Sequence, residues 1–168
     1  MAVVKSVKVD GENIYIFNSV IYIFESSAGY TLELDLIVSE ITVKKYKQEQ
    51  TLIIEVELED GRMIDSIMHL QTLQGGLPQL NLFCDVVDID EYDDLDKVNE
   101  NSSWFPNVEE GITLEEIRKV EMPVEPISLK LTLPIDQVEW LKKQKKKELN
   151  QLFSEMIYEQ WKKEIKEI

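Results

Sequence analysis

Residues 51–70 read TLIIEVELEDGRMIDSIMHL. Leu52, Ile54, Val56 and Leu58 alternate with Glu55, Glu57 and Glu59, which places the aliphatic side chains on one face of a pleated strand and the glutamates on the other. Asp60-Gly61 then reverses the chain, a strong local signal for a β-hairpin. A two-residue loop would set Val56 opposite Asp65. A three-residue loop with Gly61 as a bulge sets Leu58 opposite Arg62, Val56 opposite Ile64 and Leu52 opposite Met68. The bulged register is expected, because a slip of one residue would turn Asp65 into the buried face.

On the N-terminal side, Val3 to Val9 reads as a strand turned by Asp10-Gly11. The repeat Ile14-Tyr15-Ile16-Phe17 and Ile21-Tyr22-Ile23-Phe24 reads as one long strand bulged at Asn18-Ser19. Apolar on both faces, it would aggregate if left at an open edge and must be central or covered. Tyr30 to Val38 alternates cleanly as a further strand, and Lys44 to Gln50 reads as a polar connection. On the C-terminal side, Gly75-Gly76-Leu77-Pro78 marks a loop, and Gln79 to Val87 returns as a strand with Leu80, Leu82, Cys84 and Val86 on one face.

Composition then changes. The net charge is −15, and Asp85 to Pro126 carries 14 acidic against 3 basic residues. Asp88 and Glu91 form a capping pair ahead of Ile89, Tyr92, Leu95 and Val98, which predicts a short acidic helix. Asn99 to Gly111 reads as a loop containing Trp104-Phe105-Pro106. Thr113 and Glu116 form a second capping box, for a helix that stops before Met122-Pro123. Ile127, Leu129, Leu131 and Leu133 alternate as a last strand. Asp136 and Glu139 cap a helix expected from Gln137 to Lys166, too long for the domain and a basis for expecting a homodimer through it. Its apolar stripe begins only at Leu149, after the lysine-rich run Lys142 to Lys147.

The expected architecture is α+β in a single domain, 1–168: a mostly antiparallel sheet of six to seven strands, a short acidic helical and loop insertion over 88–122, and a long C-terminal helix over 137–166. The chain lacks an apolar run of membrane-spanning length and a signal-peptide pattern at Met1, and its one cysteine suits a reducing compartment, so a cytoplasmic location is expected.

Chemistry-bearing motifs are sparse. The aspartates from Asp85 to Asp96 are hard oxygen donors, but a calcium loop starting at Asp88 would need glycine where Asp93 stands and glutamate where Asn99 stands. His69 and Cys84 could pair as base and thiolate only if their strands brought them together. No metal, cofactor or catalytic residue is therefore expected, and the chain reads as non-enzymatic. The acidic field disfavours direct contact with nucleic acid or anionic membrane. It suits a protein-interaction module, antitoxin-, immunity- or inhibitor-like, presenting Asp90, Asp93, Asp94, Asp96, Trp104 and Phe105 to a basic partner. The alternative is a small-molecule-binding β-domain with Tyr15, Phe17, Tyr22, Phe24 and Tyr30 around a pocket.

Overall fold

A computed structural model describes residues 2–71 and 75–166. Two compact units form, Met1–Val124 and Glu125–Ile168. The first holds an eight-stranded sheet in the order β2-β1-β5-β6-β7-β4-β3-β8. The strands are β1 (Val4–Val9), β2 (Glu12–Ile14), β3 (Asn18–Ser26), β4 (Gly29–Ile37), β5 (Thr51–Leu58), β6 (Met63–Gln71), β7 (Gln79–Val86) and β8 (Lys97–Asn99). Helices α1 (Glu40–Tyr46) and α2 (Leu114–Val120) complete the unit, and α3 (Ile135–Lys143) and α4 (Lys146–Lys166) belong to the second. The class is α+β with a mostly antiparallel sheet, of eight strands among the described residues. Among the described residues no helix is long and apolar enough to cross a membrane.

The β5–β6 hairpin has the bulged register, with Val56 opposite Ile64 and Leu52 opposite Met68. Leu58 and Arg62 close the loop through Leu58 N–H to the Arg62 carbonyl at 2.9 Å, and Gly61 takes a φ of +88°. The β1–β2 turn likewise places both Asp10 and Gly11 at positive φ.

Connectivity forces the sheet to curl. β2 and β3 stand six positions apart in the sheet, ~29 Å if it were flat, yet Tyr15–Phe17 is their only link, and four Cα steps reach at most ~14 Å. The two rims therefore approach, and Ile14 and Ile16 pack into the same core as Ile21 and Ile23. This corrects the expectation of one continuous strand. The break lies at Tyr15–Phe17, which crosses from one rim to the other, while Asn18 and Ser19, read as a bulge, open β3 opposite Ile37 and Leu36.

Inside the curl, Val7, Val9, Leu34, Leu36, Ile54, Val56 and Leu82 are fully buried with their neighbours in one aliphatic cluster. Among the described residues β6 and β7 pair from His69–Gln71 to Asn81–Phe83. Beyond that point Ile89, Tyr92 and Leu95 pack against the core. The acidic helix expected from Asp88 is thus only a 3₁₀ turn, Ile89–Tyr92, capped by Asp88. Burial of Leu95 and parallel pairing of β8 with β3 take up the rest of that segment. The polar connection expected at Lys44 overlaps α1, whose Ser39 cap accepts from Thr42 N–H. α2 has the expected Thr113–Glu116 box, and its Ile117 joins Ile37 and Val108 in a second cluster. Arg118 of α2 also pairs with Glu40 of α1 at 2.7 Å.

In the second unit the expected strand over Ile127–Leu133 has no ladder partner among the described residues, and Ile127 and Leu129 are 80 and 70 % exposed. The long helix is broken: Gln144 is extended at ψ 153°, and α4 restarts at Lys146. Five lysines within Lys142 to Lys147 repel one another where no apolar side chain holds the turn together. The cap is displaced too, since Pro134 precedes α3 without a side-chain cap bond.

Candidate functional site

The acidic segment is anchored before it is displayed. Arg62, at the tip of the β5–β6 hairpin, grips Asp94 through Nη1–Oδ1 at 2.8 Å and Nη2–Oδ2 at 2.5 Å and reaches the Glu91 carbonyl at 3.5 Å. This guanidinium holds the Asp94 carboxyl below the ordinary range. Asp93 lies 3.3 Å from Lys97. Two of the four aspartates proposed for a partner are therefore engaged within the chain. Asp90 remains exposed, and its N–H is capped by Asp88.

Asp96 and Trp104 come together. A groove of about 210 Å³ runs along Ala2, Val3, Ser19, Val20 and Ile21, closed on the other side by Asp96, Trp104, Pro106, Asn107 and Glu110. β3 creates it by running unpaired past the end of β8. The Ile23 N–H donates to the Asp96 carbonyl at 2.8 Å, and β8 pairs only with Ile23–Glu25, so Ser19–Ile21 faces the rim near the N-terminal end of β1. Trp104 is 53 % exposed, and among the described residues the Asp96 and Glu110 carboxylates have no cationic partner. The groove thus combines an aliphatic wall, an aromatic face and two carboxylates, a suitable seat for a lysine or arginine side chain. Phe105 is not in it. That ring packs near Phe24, 6.3 Å between centroids, on the outer face of β3.

A second polar cluster went unnoticed in the sequence. Glu33, Asp35 and Asn81 point to the outer face of β4 and β7, yet all three are buried. Asn81 donates to Asp35 at 2.8 Å, while Thr31 and Gln71 donate to Glu33 at 2.7 and 3.1 Å. Burial pushes both carboxyls above their usual range against these hydrogen bonds. Burial and the two carboxylates together raise the nearby Tyr22 phenol. Charged residues at alternate positions of an otherwise apolar strand were the available signal, but alternation alone reads as solvent exposure.

His69 and Cys84 do not meet. His69 is on the outer face, 5.3 Å from the Phe83 ring. Cys84 turns inward to the core, 3.4 Å from Ser66 Oγ, and burial raises its thiol. The five aromatic residues considered for a ligand pocket are dispersed as well. Tyr15 packs edge-on against Phe17, Tyr22 and Phe24 project from the outer face, and Tyr30 packs against the inner core. Comparison with family models, with curated proteins and with solved structures finds no match for the chain.

Proposed function

We propose that this chain is a non-enzymatic protein-interaction module that receives a basic partner at the Trp104 groove. The convergence of Asp96, Glu110 and a half-exposed Trp104 on one groove carries the reading. It is supported by the charge of the surrounding unit, since residues 1–124 hold 25 acidic and 9 basic side chains. That field steers a basic surface toward the groove, and the indole then retains a cation and its aliphatic stem. Inhibitor-like or immunity-like action follows if the partner's basic surface is its working surface.

The test is association and dissociation kinetics with the partner retained from the native host by immobilised full-length chain. Association should slow markedly between about 50 and 500 mM salt, as screening shortens the reach of the field. Asp96→Asn with Glu110→Gln should slow association, and Trp104→Ala should speed dissociation. A partner whose binding ignores salt and all three substitutions would overturn the proposal.

A further inference from the structure

The groove beside Trp104 is also an interruption in the sheet. Along β3 the main-chain groups of successive residues alternate between the two flanking sides. Ile23 turns its N–H away from β4, to the Asp96 carbonyl at 2.8 Å. Ile21 and Ser19, two and four residues back, therefore turn theirs the same way. β8 fills that side at Ile23–Glu25. Beside Ser19 and Ile21 no strand is paired there among the described residues, although on the other side they stand opposite Leu36 and Leu34 of β4.

Both ends of this gap are defined. Ile23 closes one through Asp96, and at the other the Ser19 N–H donates to Asn18 Oδ1 at 3.0 Å. Between them stand the Ser19 carbonyl and the Ile21 N–H and carbonyl, three main-chain groups along ~7 Å of strand. Edges that must stay unpaired carry a charge, a proline or a bulge. Ser19-Val20-Ile21 carries none of these, and its register with β4 is unbroken. Asp96, Glu110 and the half-exposed Trp104 line the same gap. Its volume of about 210 Å³ lies below the ~300–1,000 Å³ of small-molecule pockets and suits one long side chain.

We propose that the groove takes an extended basic peptide, which adds to β3 in the lane of β8. One lysine or arginine of that peptide lies along Trp104 toward Asp96 and Glu110. Main-chain pairing then supplies affinity, and the groove selects the cation and its aliphatic stem. This inference rests on the groove as the receiver of a basic partner and specifies what that partner offers: a loop or terminus able to become a strand.

The probe is a capped heptapeptide of alternating threonine and valine with lysine at its centre, titrated into full-length chain. Amide hydrogen exchange read by NMR should slow at least tenfold at Ile21 on binding. Val20 and Tyr22, whose amides face β4, should not change. N-methylation of the peptide should weaken binding about fivefold at alternate amides and leave those between without effect. Replacing its lysine by glutamate should weaken binding at least tenfold at low salt. A heptapeptide that fails to bind at about 1 mM, an Ile21 amide indifferent to it, or N-methyl groups without cost at every position would overturn the inference. Capped lysine alone binding as tightly as the heptapeptide would overturn strand addition while sustaining the groove's preference for a cation. Equal affinity for the lysine and glutamate peptides would overturn both readings together.

Discussion

Arg62 and Asp94, 32 residues apart, form a two-bond pair between the tip of the central hairpin and the acidic segment beside it. The pair gives Asp94 a structural task in place of a recognition task. Both side chains are more than a third exposed, so solvent screening limits the gain. Asp94→Asn should cost about 0.5–1 kcal/mol at low salt and less in high salt, measured by urea denaturation. An unchanged midpoint at low salt would show that the pair does not anchor the segment.

Gly61 is the second point of leverage on that hairpin. At a φ of +88° a Cβ would meet no neighbouring atom, so space is available and only the backbone objects. Gly61→Ala should therefore destabilise by about 1 kcal/mol through conformational strain. Chemical denaturation reads this directly, and a neutral result would contradict the bulged turn.

The buried pair Glu33 and Asp35 makes stability depend on pH. Both carboxyls are raised in the folded chain, chiefly by burial, so the folded state holds their protons more tightly than the unfolded state does. Their contribution is complete below the unfolded values near about pH 4 and is lost as pH rises through the folded values. Asp35→Asn keeps an acceptor for Asn81 and removes the charge. It should stabilise the chain at pH 7 relative to wild type, with the advantage shrinking toward pH 4 in denaturation series. A constant difference across that range would mean that Asp35 titrates as it does in the unfolded chain.

Among the described residues every buried hydrophobic side chain lies between Val7 and Ile117. Residues 1–124 alone should consequently unfold cooperatively, with a Tm within about 5 °C of the corresponding transition of the full chain. Loss of the cooperative transition on removing 125–168 would show that the first unit depends on the second.

The strands were readable wherever one face of the sheet is apolar and the other polar. Leu52 to Leu58 and Leu32 to Leu36 declare their inner faces by strict alternation, and Asp60-Gly61 fixes the hairpin register. The curl was not readable, because it depends on which strands become neighbours. Ile14 to Phe24 offers apolar side chains to both faces and so does not reveal that its two copies occupy opposite rims. Of the proposed partner residues, Asp96 and Trp104 come together at one groove while Asp93 and Asp94 are taken up by Lys97 and Arg62. Acidic residues close in sequence carry no mark of which one a distant arginine will claim. Glu110 was missed because it lies in a loop whose path over β3 is set by Asn18 Nδ2 donating to the Val108 carbonyl at 2.8 Å.

The crossing at Tyr15–Phe17 also sets an order of events during synthesis. β1 must wait for β5, whose first residue is made more than forty positions later, and at roughly 5–20 residues per second that is a delay of seconds. Until then the apolar stretch from Val7 to Phe24 has left the ribosome with only the short β1–β2 turn and the β3–β4 hairpin to occupy it. Pairing β1 with β5 across that interval is a non-local step and therefore a slow one. Between the emergence of β4 and that of β5 the nascent chain therefore carries apolar strands whose partners β5, β7 and β8 do not yet exist.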